Sequence, residues 1–279
     1  MTARTITRVV SAQPATDGAG VKINRNAGFA GELRMDPFLM LDEIRSESKD
    51  DFIAGFPAHP HRGFETVTYM REGSFSHRDS MGNTGAIGGG GAQWMTAGSG
   101  VIHSEMPAAD ADRMHGFQFW LNLPAGEKMT APAYRDIQAE EIGELHHQDA
   151  RVHLIAGTLT LGDETCAGVV TGKTTQALIA DVNLVTGSAT IGYAQSLASQ
   201  FYVYSGAVSV AKTQVQAGQL AYLGTGDSVE LHCGDEAGLL LFGGVPLDEP
   251  VVHYGPFVMN TPEQIQRALQ DYRDGVLAS

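Results

Sequence analysis

Residues 56–73 read FPAHPHRGFETVTYMREG. Two histidines stand two apart, a glutamate follows four residues after the second, and apolar and polar side chains then alternate up to a glycine. Alternation with a period of two is the pattern of a half-buried strand. The pattern recurs in QWMTAG (93–98), GFQFWLNL (116–123), ARVHLIAG (150–157) and QFYVYSGAVSV (200–210), closed by Gly, Pro or Ser. Short strands separated by such breaks predict an all-β protein of the sandwich or barrel type. The 34 glycines are scattered rather than periodic, which suits many tight turns and excludes a collagen-like repeat.

With 279 residues, 43% of them hydrophobic, the chain can bury a sizeable core and form one large or two moderate domains. The net charge of -14 argues against a direct grip on nucleic acid, because such binding depends on Lys and Arg displacing counterions from phosphates. The start, MTARTITRVVSAQPATDG, has no apolar run of signal-peptide length, and no stretch approaches the roughly 20 apolar residues of a membrane span. A cytoplasmic protein without membrane contact is therefore expected. Cys166 and Cys233 are too few for a disulfide framework and form no Cys-x-x-Cys pattern, so both read as ordinary buried thiols.

One helix is legible near the C-terminus, in NTPEQIQRALQDYRDG. Thr261 is a suitable N-cap, Pro262 fits the first helical position and Gln264 completes a capping box. Ile265, Ala268, Leu269 and Tyr272 then line one face, and Gly275 can end the helix. The acidic segment RDIQAEEIGELHHQDA (135–150) reads as a connection between two halves. A faint repeat supports those halves: setting Gly73 against Gly206 places His59, His61 and Glu65 opposite Gly192, Ala194 and Ala198. Likewise residues 91–105 lie over 218–232, with Glu230 opposite His103 and His232 opposite Glu105. Two similar modules are predicted, of which only the first is equipped for a metal.

Strand residues two apart share a face, with Cα atoms about 6.5–7 Å apart, so the imidazoles of His59 and His61 can converge on one ion. Glu65 shares that parity if the strand continues without a bulge. SGVIHSEMP (99–107) adds a second such pair, His103 and Glu105. Two neighbouring strands would then offer three imidazoles and a carboxylate. That donor set, without thiolate, suits Fe(II), Mn, Ni, Cu or Zn better than Ca or Mg, and six-coordination would leave two positions for water, O₂ or substrate.

A single strand histidine is more often a hydrogen-bonded core or surface residue than a ligand. On that reasoning His77 is a strand-face residue and His146 and His147 lie in a solvated loop; His115, in MHGFQFW, could partner a ligand but reads first as a strand-face residue. The glycine-rich stretch MGNTGAIGGGGAQW lacks the Gly-Lys-Ser/Thr ending of a phosphate loop and leads into a strand, so it reads as a flexible connection. No Ser-His-Asp or Cys-His catalytic set is evident.

FPAHPHRGFETVTYMREGSFSHRDSMGNTG, QWMTAGSGVIHSEMP, HGFQFWLNLP and GPFVMNTPEQI resemble the pirin family of the cupin superfamily. The likeness is strongest over 28–135 and returns at 243–275. It implies a bicupin: two stacked antiparallel β-barrels of jelly-roll type with a short C-terminal helix, divided into a metal-binding domain at 1–139 and a ligand-free domain at 140–279. It also implies one iron held by His59, His61, His103 and Glu105, with Mn, Ni, Co, Cu or Zn as other candidate ions. Glu65 then becomes a group beside the ligands, and either Glu105 or Glu65 is a candidate proton acceptor.

Two activities follow from the resemblance. The first is quercetin 2,3-dioxygenase activity, in which O₂ opens a flavonol ring and carbon monoxide leaves. The alternative is an iron-binding regulator of a transcription factor or metabolic enzyme. For the first, the partners are a small aromatic substrate and O₂, and a monomer is expected. Phe56, Trp94 and Met106 adjoin the ligands in sequence and are candidates for the substrate pocket.

Overall fold

The computed structural model describes residues 2–29 and 31–278. Its strands pair in antiparallel sheets, and the described residues include one α-helix, Pro262–Arg273. No helix among them is long and apolar enough to cross a membrane.

The chain forms two compact units. One comprises Gln13–Arg34, Phe38–Glu140 and Leu247–Ser279, and the other Met1–Ala12, Met35–Pro37 and Glu141–Pro246. The break at 140/141 adjoins the expected one, but the chain ends are exchanged relative to a division into 1–139 and 140–279. Ile6–Ser11 pairs with Gln219–Leu223 at the edge of a sheet in the second unit, and the C-terminal segment returns to the first. The sequence carries no local sign of this, because an edge strand's partner can lie anywhere in the chain.

Each unit contains a seven-stranded sheet and a smaller one. In the first unit the larger sheet runs Ala133–Ile137, Ala92–Thr96, Phe64–Glu72, Met114–Asn122, Phe38–Ser46, Val21–Ala27, Gln13–Asp17. Its smaller sheet runs Phe56–His61, Val101–Pro107, Phe75–Asp79, Thr84–Ile87. The second unit repeats six strands of the larger sheet, with Ile6–Ser11 at the edge instead, and its smaller sheet has six strands, Thr158–Leu161 and Glu164–Ala167 being added. Gly187–Gly192, Ser228–Cys233, Ala207–Val210 and Thr213–Gln216 are consecutive in its smaller sheet, as the faint repeat predicts. Among the described residues no sheet closes on itself, so the hydrogen bonding forms pairs of open sheets rather than closed barrels.

The helix starts as predicted: the Thr261 hydroxyl accepts from the Gln264 amide N–H at 3.3 Å, and the Gln264 side-chain oxygen accepts from the Thr261 N–H at 3.1 Å. Ile265 and Ala268 are buried against Phe257 and Met259. Tyr272, expected on the same face, is 43% exposed at its margin. Asp271 on the helix receives a 2.8 Å hydrogen bond from Arg62, an ion pair that fixes the helix beside the histidine strand.

Between His61 and Phe64 the chain leaves the small sheet and enters the large one. Gly63 makes this corner at φ +91, and a Cβ there would fall 2.1 Å from the carbonyl oxygen of Val258. Only glycine combines that φ with so close an approach at little cost. Lys128, 1% exposed, closes the corner: its ammonium donates to the carbonyl oxygens of Gly63 at 2.7 Å and Val258 at 3.1 Å and to Asn122 Oδ1 at 2.6 Å. Burial pushes its pKa down to about 8.

Lys128→Met should therefore lower the unfolding free energy by about 3 kcal/mol, since three buried oxygens lose a charged donor. The sign of its pH dependence is also fixed. Between pH 8 and the unfolded value of 10.5 the unfolded chain holds the extra proton, so this lysine makes the native protein gain stability as pH rises through that interval. Denaturant midpoints measured at pH 7.5 and 10 should show this gain in the native chain and not in the variant.

Candidate metal centre

Phe56–His61 and Val101–Pro107 pair antiparallel with His59 directly opposite His103 and Val101 opposite His61. Opposed residues bring their side chains to the same face. The donor nitrogens of His59, His61 and His103 all lie within 4.8 Å of one another. His61 and His103 are buried, and His59 is half-buried. Burial, reinforced by the neighbouring imidazoles, holds His61 and His103 well below the ordinary imidazole range. Both are thus neutral at pH 7, the form that ligates metals.

The hydrogen bonds set the direction of the lone pairs. Nδ1 of His59 lies 2.8 Å from the Pro57 carbonyl oxygen, and Nδ1 of His61 lies 3.3 Å from that of Pro256. Carbonyls only accept, so both Nδ1 atoms carry the proton and both Nε2 atoms present lone pairs. Those two Nε2 atoms face each other at 3.0 Å. Two nitrogens bonded to one ion at about 2.1 Å and at right angles would stand about 3.0 Å apart. Neither ring nitrogen of buried His103 has a hydrogen-bond partner. Facing lone pairs and an orphaned imidazole disfavour the bare arrangement, and a cation among the three nitrogens relieves both. The residues fit a divalent transition metal.

Glu105 shares the face of His103 and is buried. Its Oε1 accepts from the Thr68 hydroxyl at 2.9 Å, and the same hydroxyl lies 2.8 Å from the Gln118 side-chain oxygen. Thr68 and Gln118 belong to a row that crosses the large sheet at one level. Its members, in register from strand to strand, are Asp136, Gln93, Thr68, Gln118, Asp42 and Arg25. The row meets a cavity of about 600 Å³. His59, His61, Glu105, Gln118 and Asp42 reach it as polar groups, and Met40, Ile44, Phe56 and Trp120 as apolar walls. The Trp120 ring stands 5.4 Å from that of His61, edge to face.

Glu65 does not join the site. The Gly63 corner ends the strand parity assumed from sequence, and Glu65 lies in the other sheet, three residues before Thr68 and therefore on the opposite face. There it accepts from the Thr96 hydroxyl at 2.5 Å. Trp94 lies on that same opposite face, paired with Val67, and does not line the cavity. Met106, next to Glu105 in sequence, points away from it by the same alternation and is also absent from the lining. Of the three expected pocket residues, Phe56 lines the cavity.

His115 bonds Glu43 at 2.9 Å, and exposed His146 pairs with Glu144 at 2.8 Å. His77 is buried beside the cluster: its ring is 5.3 Å from that of His103 and stacks on Tyr134 at 4.2 Å. Asp42, Gln118, Trp120 and His253 are among the cavity residues that sequence reading passes over. The available sign was charge inside apolar runs, as in FLMLDEIRS.

The sequence contains a match to the Pirin family model over residues 20–121 and to the Pirin C-terminal cupin domain over 179–278. The chain belongs to the pirin family. A relative from Vibrio cholerae, bearing the name "Putative quercetin 2,3-dioxygenase", is 47% identical over 274 residues, which is 98% of this chain and 97% of that one. Human Pirin is 38% identical over 280 residues, 96% of this chain and 92% of its own. Among solved structures, a quercetin 2,3-dioxygenase from Acinetobacter baumannii superimposes with a TM-score of 0.89 at 31% identity, covering 99% of both chains.

The buried imidazoles also fix how a pirin-family chain of this sequence responds to acid. Below the ordinary imidazole value of 6.5 the unfolded chain protonates first, so stability falls as pH drops. Thermal melts of chelator-treated protein should be nearly level from about pH 7 to 7.5 and decline below pH 6.5. The decline should be shallower in His103→Gln, which removes one of the two depressed groups.

Proposed function

We propose that this protein is a metal-dependent dioxygenase that opens the ring of quercetin or a related flavonol. The observation that carries the reading is the convergence of the ring nitrogens of His59, His61 and His103, within 4.8 Å of one another, beside a cavity walled by apolar side chains. The similarity to proteins named quercetin 2,3-dioxygenase supports it. His59, His61 and His103 would hold the ion, with Glu105 as fourth ligand or as base. Fe(II) is the metal proposed, and Mn, Ni, Co, Cu and Zn are the alternatives that the donor set allows.

When bound, such an ion supplies Lewis acidity and a template for the substrate hydroxyl and dioxygen. The chain supplies the remainder. Glu105 accepts the proton of the flavonol 3-hydroxyl on one carboxylate oxygen while Thr68 holds the other, 2.9 Å away. Phe56, Trp120, Met40 and Ile44 cover the planar rings and exclude water. The overall reaction consumes quercetin and O₂ and releases carbon monoxide and the ring-opened ester.

Metal-stripped protein reconstituted anaerobically with each ion should, on addition of quercetin and O₂, take up oxygen and release carbon monoxide with at least one of them. His61→Ala should lose both the ion and the turnover. Undiminished turnover in a metal-free variant would overturn the mechanism. Tight metal binding with no turnover on any flavonol would instead favour the regulatory alternative, in which the site tunes a surface for a protein partner.

A further inference from the structure

The cavity holds an ionic group that binding a metal does not require. Arg25 Nε donates to Asp42 Oδ1 at 2.9 Å, and its Nη2 donates to Asp42 Oδ2 at 2.5 Å and to Asp17 Oδ2 at 2.5 Å. All three residues line the cavity, among Ile23, Met40 and Ile44. Asp42 is 4% exposed. Charges in such surroundings pay a desolvation cost, and apolar replacements of similar volume are often neutral or stabilising. A packing role alone therefore does not account for them.

The charge balance indicates which ligands the group favours. One guanidinium faces two carboxylates, which leaves this group one net negative charge, while Glu105 offsets only part of the charge a bound divalent ion would bring to the imidazoles. A carboxylate on the part of a ligand that meets the Asp17–Arg25–Asp42 group would be repelled. A carboxylate has about four acceptor positions, and the contacts from Arg25 leave Asp42 able to accept from a further donor. On the adjacent strand Gln118, directly opposite Asp42, adds an amide within the same row.

We infer that Asp42, braced by Arg25, is the specificity-determining end of the cavity, accepting a hydrogen bond from a hydroxyl of an uncharged polyhydroxylated aromatic and rejecting anionic analogues. This rests on the cavity being the substrate site, as proposed above. Arg25 acts as a positioning residue: it fixes the Asp42 carboxylate and offsets its charge without itself recruiting an anion. Phe29 and His253, whose rings stack on each other with centroids 4.1 Å apart, add flat ring surface to the cavity lining.

The test is equilibrium binding to the metal-loaded full-length chain under anaerobic conditions, where no ring opening occurs, read as quenching of tryptophan fluorescence. Three probes share one scaffold: quercetin, 3-hydroxyflavone, which lacks the other ring hydroxyls, and a flavonol carrying a carboxylate on its pendant ring. The native chain should bind quercetin about tenfold more tightly than 3-hydroxyflavone and the carboxylate probe weakest, the size expected for one charge-assisted hydrogen bond. Asp42→Asn should weaken quercetin about tenfold and leave 3-hydroxyflavone nearly unchanged. Asp17→Asn, at a half-exposed position that leaves the Arg25–Asp42 pair intact, should selectively improve the carboxylate probe, and it decides the matter if Asp42→Asn misfolds.

Equal losses for quercetin and 3-hydroxyflavone in Asp42→Asn, or a carboxylate probe that binds the native chain as well as quercetin, would overturn the inference. Selectivity as expected without oxygen uptake would refute only the dioxygenase reading. Oxygen uptake without the selectivity would refute only the role of Asp42.

Discussion

The corner at Arg62 and Gly63 is the constraint on which the site depends. Within three residues the chain passes from a strand that carries two imidazoles to one that carries Thr68, so ligands and supporting hydroxyl come from different sheets. Such a turn leaves backbone carbonyls buried where no strand can pair with them, and unpaired buried carbonyls are costly. Lys128 satisfies those of Gly63 and Val258, the Val258 N–H donates to the Arg62 carbonyl at 3.1 Å, and Arg62 ties the assembly to the helix through Asp271. A buried ammonium is expensive, but here three oxygens compensate it, and the result is a rigid origin for His61. The C-terminal segment completes the arrangement by lending the Pro256 carbonyl to that ligand's Nδ1.

The two units show what a binding site costs a fold. In the second unit the row that corresponds to Gln93, Thr68, Gln118, Asp42 and Arg25 reads Ala221, Phe201, Leu241, Ala180 and Leu154 across five paired strands. Every one of these is apolar and belongs to one continuous core that also takes in Leu231, Val229 and Ile191 of the smaller sheet. The order of the shared strands is the same, but the second unit fills its interior with side chains where the first keeps a cavity. On its ligand-equivalent strand Glu230 and His232 are both exposed, and His232 Nδ1 lies 3.1 Å from Ser188 Oγ. A filled core is worth roughly 25 cal/mol per Å² of apolar surface buried, which the first unit forgoes around its site.

How much of this is visible in the sequence depends on whether a feature is local. The His-x-His and His-x-Glu pairs, the strand alternation and the helix cap are local, and the structure places them where the sequence suggests. Glu65 illustrates the limit: its parity with His61 holds only along an unbroken strand, and the glycine that breaks it can be recognised only once Val258 is known to press against the corner. Trp94 and Met106 are near the ligands along the chain but on the wrong face of their strands, because alternation separates neighbours. The polar row is beyond such reading, since its members are tens of residues apart and share only a level in the sheet. Asp42 and Gln118 were visible as polar residues inside apolar strands, but their partners were not.

The site also leaves hydrogen bonding unfinished in a particular way. Around His103 both ring nitrogens lack partners, and the Nε2 atoms of His59 and His61 oppose lone pair to lone pair, whereas nearby Thr68, Glu105, Asp42 and Arg25 are all engaged. Buried polar atoms are nearly always satisfied, so the free energy that burial withholds here is recovered by a group that bonds the three imidazoles at once. A cation does so, and because it binds the folded arrangement and not the dispersed imidazoles of the unfolded chain, its binding adds to stability. The ionic wall follows the opposite logic: Asp42 and Arg25 satisfy each other and persist without any ligand. One part of the cavity is therefore incomplete until an ion enters, and the other is complete beforehand and able to select what the ion will meet.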